Sequence, residues 1–277
     1  MELTFETYGS YNELIGFHKT RGGEPKRIAL ETMKIAEGIE MLELAVPGTP
    51  MVIHPTVFYD SNTYVLVDTG MPGCRNLILE LIHKAGIQQA EPHTIILTHQ
   101  DIDHVGGLPQ FLHDSQGRIE VLAHPDDKPY IDGELPFIKM TPERKQTLLQ
   151  SLPDNLRKQF EDAFSKSTEG NVTQTVKDGE RLPIAGGVVV IHTPGHTPGH
   201  ISLYHEPSKT LIAGDAMVVS EGELQGPNPR VTPNMEQALQ SLHKFKDYDI
   251  QAVICYHGGL YQGNIRQRLE ELTSSAV

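Results

Sequence analysis

Hydrophobic and polar positions along the chain fall into short runs, several with a period of two, and these predict strands. Residues 39–46 alternate as Ile-Glu-Met-Leu-Glu-Leu-Ala-Val, 51–59 are rich in β-forming residues, and 64–67 make a brief apolar run that ends in Asp68-Thr69-Gly70. Alternation sends successive side chains to opposite faces, so such a run offers one face to a core. Pro-Gly and Ser-Asn pairs between the runs supply turns. Leu77, Leu81, Ile82 and Ala85 then switch to helical spacing, which stops at Gly86. A strand over 94–97, a short helix over 108–113 and a strand over 119–123 follow.

Residues 125–175 break this alternation of short elements. Thr141-Pro142 reads as a helix start, with threonine as cap and proline in the first turn, and Leu152-Pro153-Asp154 interrupts before Leu156, Phe160 and Phe164 recur at every fourth position. The segment is a helical insertion, either a surface hairpin of helices or the wall of a substrate pocket. Strands resume at 181–184, 188–191, 201–204 and 210–213, followed by a helix over 235–245, a strand over 252–255 and a last helix over 264–272. Strands leading into strand-helix pairs thus occur once before the insertion and once after it, which predicts two packed sheets with helices outside. Residues 1–32 carry Gly9, Gly16, Gly22, Gly23 and Pro25 without a sustained period and read as an irregular extension to a domain at 33–277.

Charge removes several function classes. Thirty-six acids against 23 bases leave a net charge of −13, which provides no electrostatic footprint for a phosphate backbone or an anionic membrane, so neither nucleic acid nor membrane is expected as a partner. Cys74 and Cys255 are too few for a disulfide framework and read as buried or half-buried free thiols. No basic and apolar leader opens the sequence and no apolar run approaches the ~20 residues of a membrane span, so the expected location is cytoplasmic. Of the 14 histidines, His18, His83, His93, His113, His205 and His243 are assigned to the surface.

Candidate chemistry gathers behind one strand. Residues 98–107 read Thr-His-Gln-Asp-Ile-Asp-His-Val-Gly-Gly and place His99, Asp101, Asp103 and His104 directly after the apolar run 94–97. Ligands gather at strand ends in α/β sheets, so this is a metal site unless it is a solvated polar loop. Three further strand ends present His196, Asp215 and His257, each next to glycine. Together these seven nitrogen and oxygen donors suffice for two adjacent divalent ions sharing one carboxylate.

These motifs, in order, with Asp68 in Val-Asp-Thr-Gly, resemble the motif set of the metallo-β-lactamase fold hydrolases, over about residues 36–275. The resemblance implies a four-layer αββα sandwich with a binuclear metal site at one edge. It assigns His99, Asp101 and His196 to one metal, Asp103, His104 and His257 to the other, and Asp215 as the bridge. Asp68 is then a support that orients the histidine loop without touching metal. Asp101 departs from the pattern, since most relatives have histidine there. A carboxylate adds a hard oxygen donor and a negative charge, which shifts preference from zinc toward iron or manganese; zinc stays the first expectation. The flavo-diiron branch carries glutamate at this place, but it needs a flavodoxin-like domain that this length does not hold.

The implied chemistry is hydrolysis, with a bridging hydroxide attacking a carbonyl and Asp103 or Asp215 as catalytic proton acceptor. A small lactone or ester is the first substrate class, because Thr-Pro-Gly-His-Thr-Pro-Gly-His-Ile-Ser at 193–202 resembles the acyl-homoserine lactone lactonases. Those enzymes carry a tyrosine where this chain has Val218; Tyr256, Tyr261 and Tyr130 are candidate substitutes, although each also suits a structural or surface place. The alternatives are a glyoxalase II type thioesterase, weakened by the lack of a basic C-terminal helical region, and a metal-binding sensor without turnover. His54 and His124 read as turn or surface residues with pocket lining as the alternative, and His200, more than His192, as a support for His196. Residues 225–229 are a candidate pocket rim.

Overall fold

The computed structural model describes residues 30–47, 49–89, 91–165 and 170–274. Its first sheet has eight strands: β1 (Glu31–Ala36), β2 (Ile39–Ala45), β3 (Val52–Ile53), β4 (Thr56–Tyr59), β5 (Tyr64–Val67), β6 (Thr94–Ile96), β7 (Glu120–Ala123) and β8 (Gln174–Thr175). They lie in the order β1-β2-β4-β5-β6-β7-β8, with β3 paired to β2. The chain then forms β9 (Arg181–Leu182), β10 (Val188–His192), β11 (Ile201–His205) and β12 (Thr210–Gly214), a hairpin of β13 (Val218–Ser220) and β14 (Glu223–Gln225), and finally β15 (Ala252–Cys255) and β16 (Gly259–Tyr261). The second sheet runs β16-β15-β12-β11-β10-β9.

The helices are α1 (Arg75–Lys84), α2 (Ile102–Val105), α3 (Leu108–Ser115), α4 (Lys128–Ile131), α5 (Pro142–Ser151), α6 (Asp154–Ser165), α7 (Met235–Ser241) and α8 (Ile265–Ser274). Three apolar clusters define the layers. Val65, Val67 and Ile96 of the first sheet meet Val190, Leu203, Ile212 and Ile254 of the second. The outer face of the first sheet packs on Ile78 and Leu81 of α1, Phe111 of α3 and Phe160 of α6. The outer face of the second packs on Ile265 and Leu269 of α8. The result is the expected αββα sandwich, each sheet buried on both faces because alternate residues serve different cores.

The insertion is built from α4, α5 and α6. Thr141 caps α5 by accepting the Arg144 N–H on its hydroxyl at 3.3 Å, as its sequence indicates. None of the α5 residues is buried, whereas α6 docks through Phe160 and Phe164, whose rings lie 4.8 Å apart. Several expectations shift. Glu31 and Thr32 belong to β1 rather than to an extension, Leu30 leads into that strand, and residues 1–29 lie outside the described residues. The helix expected over 235–245 divides into α7 and a 3-10 helix, Leu242–Asp247. Among the described residues, no helix is long and apolar enough to cross a membrane.

Candidate metal centre

Strand direction brings the donors together. β5, β6 and β7 run parallel, so the turn after β6 opens at the same sheet edge as the end of β5. In the second sheet β12 and β15 are parallel, and β10 points the same way because it pairs with β12 only through antiparallel β11. His99 and Asp101 follow β6, Asp101 in extended backbone, and Asp103 and His104 ride on the single turn α2. His196 follows β10, Asp215 follows β12 and His257 follows β15.

All seven sequence candidates meet at this edge, in two sets. His99, Asp101, His196 and Asp215 have donor atoms within 4.8 Å of one another, and so do Asp103, His104 and His257. Asp215 reaches both sets: its Oδ2 lies 3.3 Å from His196 Nε2 and 3.6 Å from His257 Nε2, and its Oδ1 lies 3.4 Å from His104 Nε2. Asp103 Oδ2 faces His257 Nε2 at 3.2 Å, and Asp101 Oδ2 faces His196 Nε2 at 3.0 Å.

Cations suit this cluster on physical grounds. His99 Nε2, His104 Nε2 and Asp215 Oδ1 are buried without a hydrogen-bond partner, and each such orphan costs about 1–3 kcal/mol unless something takes its lone pair. Each of the three belongs to a donor set and faces its interior. The electrostatics agree. Burial would raise the Asp215 carboxyl, but the imidazoles of His104 and His257 hold it well below its usual range, and the same opposition keeps Asp103 low. Burial would lower His104, yet the carboxylates of Asp68, Asp215 and Asp103 raise it well above the ordinary imidazole value, and His257 is raised similarly. Burial and neighbouring imidazoles lower His99. The pocket therefore concentrates negative charge that a positive group must balance.

The supports are equally specific. Asp68 accepts the Thr98 N–H on Oδ1 at 2.8 Å and the His104 Nδ1–H on Oδ2 at 2.9 Å, the supporting task its motif suggests. His200 does not ligate; its Nε2 accepts the Asp215 N–H at 2.9 Å, which fixes the backbone of that carboxylate. Tyr256 donates its hydroxyl to Asp103 O at 2.5 Å and stacks on His104 at 3.8 Å, so it packs behind the ligands.

Tyr256, Tyr261 and Tyr130 do not line the cleft over the centre, while Val218 and Asn228 do. His54 and His124 lie in connections between elements, as expected, but both are buried rather than at the surface, and neither lines the cleft. His205, expected on the surface, is only 1% exposed, with Ala185 O and Ser208 Oγ at its two ring nitrogens. His192 stacks on His124 at 3.8 Å and 11°. With Asp126 they form a third donor group, but parallel rings aim their lone pairs side by side rather than at one point.

Sequence reasoning missed two residues here. Asp127, fully buried, accepts from Gln100 N, Gly199 N and Thr197 Oγ1 at 3.0, 2.8 and 2.7 Å, and so ties the 99–104 loop to the 196–200 loop. Lys139 approaches Asp101 from the insertion. Neither carries a local signal, since one lies in a Pro-Asp-Asp turn and the other is a lone lysine among apolar residues.

Comparison with known proteins agrees with this geometry. A metallo-β-lactamase family protein from Thermus thermophilus superposes with a TM-score of 0.61 at 23% identity, covering 87% of this chain and 80% of that one. The probable metallo-hydrolase YflN of Bacillus subtilis is 28% identical over 251 residues, 86% of this chain and 91% of that protein. A hydroxyacylglutathione hydrolase of Klebsiella pneumoniae is 28% identical over 172 residues, 60% of this chain, and the match spans only 48% of that enzyme. Residues 48–257 match the family defined as the metallo-beta-lactamase superfamily. With its sandwich, its ordered His/Asp motifs and this match over most of its length, the chain belongs to the metallo-β-lactamase superfamily.

Proposed function

We propose that this protein is a metal-dependent hydrolase acting on the carbonyl of a small acyl compound, a lactone or an ester. The observation that carries the reading is the junction of seven converging donors with a cleft of about 590 Å³, into which Asp101, Asp103, Asp215 and His257 open. Its other wall is apolar, from Met71, Ile102, Phe137, Met140, Leu148 and Val231. Such a wall suits an acyl chain, and three of these side chains come from the insertion.

Zinc is the first expectation for the cations, with iron or manganese favoured by Asp101, and the residues that would hold them are the two sets already described. When bound there, divalent cations supply a water acidified toward neutral pH and a Lewis acid for the carbonyl oxygen. The chain contributes the rest. Asp103 and Asp215, both held ionised by their imidazole neighbours, are placed to accept the proton released as the water oxygen bonds to the carbonyl carbon. Asp68, Thr98 and His200 hold these groups in one geometry.

A second reading, thioester hydrolysis of the glyoxalase II type, is favoured by the similarity to the hydroxyacylglutathione hydrolase. Turnover of p-nitrophenyl esters, lactones and S-lactoylglutathione with added Zn, Mn or Fe separates these readings. Lactone or ester turnover supports the first, thioester turnover the second. A metal-loaded protein inert to all of them supports a sensor.

A further inference from the structure

The two donor sets differ by one side chain. Lys139 lies in the turn between α4 and α5, and its Nζ stands 2.5 Å from Asp101 Oδ2 and 2.6 Å from His196 Nε2. Those two atoms are donors of the set formed by His99, Asp101, His196 and Asp215. The ammonium therefore uses lone pairs that a divalent ion in this set would use.

The surrounding contacts build this position. Gln100, lying between two ligands in sequence, accepts the Ile138 N–H on Oε1 at 2.9 Å, so the ligand loop itself fixes the residue before Lys139. Phe137 packs against Phe164 at 5.1 Å, and the Met140 N–H returns to Phe137 O at 3.1 Å, which closes the turn. The side chain is only 19% exposed. On the other side, Thr232 gives its hydroxyl proton to Asn228 O at 2.8 Å and accepts the His196 Nδ1–H at 3.1 Å, so His196 presents a bare Nε2 to the ammonium. The ion pairs found for Asp103 and Asp215 run to histidines, and a buried Nε2 without a hydrogen-bond partner stands in each set, on His99 and on His104.

We propose that Lys139 is a resident cation of the first donor set and competes there with divalent metal, so that the two sets fill in order. The Asp103–His104–His257 set, with Asp215, loads first. The His99–Asp101–His196 set loads only when the ammonium withdraws into the cleft. An entering dication must break two short charge-assisted hydrogen bonds and overcome the repulsion of the ammonium it displaces. The inference also gives the Asp101 carboxylate a second task, as the anionic partner of the ammonium. It rests on the reading that the cluster binds divalent metal.

The test is calorimetric titration of the full chain, stripped by chelator, with Zn²⁺ and separately with Mn²⁺, with elemental analysis after equilibrium dialysis. The wild type is expected to bind two ions in steps at least about tenfold apart, and to keep one per chain at limiting metal. Lys139→Met, which retains the apolar stem, should tighten the second step roughly tenfold or more and leave the first step in place. Lys139→Gln gives the same comparison should the methionine variant fail to fold, and Lys139→Arg should preserve the weak step. Equal affinities in the wild type, or a second step unmoved by loss of the ammonium, would overturn the inference while leaving the metal reading intact. No binding of either ion by any of these proteins would overturn both.

Discussion

His104 donates its Nδ1–H to Asp68 Oδ2 across 2.9 Å, and through that contact one carboxylate at the end of β5 sets two ligand imidazoles. Thr98 gives its hydroxyl proton to the same Asp68 oxygen at 2.8 Å and accepts the His99 Nδ1–H at 3.0 Å. Both rings therefore turn their Nε2 atoms toward the centre. Asp68 itself has φ 63°, a conformation that asparagine also tolerates. Asp68→Asn should therefore fold normally yet lose about 10- to 100-fold in metal affinity, measured by competition with a chromophoric chelator.

Asp127 should matter more for stability than for charge. Asp127→Ala strands the buried Gln100 and Gly199 N–H groups and the Thr197 hydroxyl. The expected loss is on the order of 3 kcal/mol in urea unfolding, because unpaired buried donors keep their full desolvation penalty. A loss below about 1 kcal/mol would mean that the two ligand loops hold their positions without this carboxylate.

Gly258, next to ligand His257, has φ +97°, and a Cβ there would meet Val219 O at 2.0 Å. Neither strain can relax without moving backbone. Gly258→Ala should cost on the order of 3 kcal/mol and weaken metal binding at the His257 set, read as a lower thermal midpoint and a weaker first binding step.

The two cysteines give a pH-based check of the cores. Burial pushes the Cys74 thiol up to about 12, and burial, with the charge of Asp215, raises Cys255 as well. At pH 8 both lie far below their folded ionisation range, so both remain neutral thiols and thiolate chemistry is suppressed. Ellman's reagent should find no reactive thiol in the native protein and two after guanidinium denaturation. Rapid reaction in the native state would contradict the packing on either outer face.

The donors are legible in the sequence because each comes after an apolar run and is either next to a glycine or grouped with another donor. That placement depends on local periodicity, which sequence carries. Their division into two sets, with Asp215 shared, is what the family resemblance implies; no local pattern assigns a donor to one set or the other. What stays hidden depends on tertiary neighbours. His205 reads like any polar residue at the end of a strand, yet Ala185 and Ser208 bury it; His54 and His124 are similar. Lys139 and Asp127 act across 38 and 72 positions of chain, on Asp101 and Gly199, and no residue pattern near them records it. Strand β1 escapes a sequence reading because its alternation is weak and its residues are exposed or only partly buried.

The most direct test of a metal-dependent hydrolase is turnover measured on one preparation as isolated, after chelation, and after refilling with Zn, Mn or Fe, using the lactone, ester and thioester panel. Activity should vanish with the metal and return with it, and Asp215→Ala should lower kcat by at least about a hundredfold. Turnover that survives complete metal removal, or full activity in Asp215→Ala, would contradict the assignment.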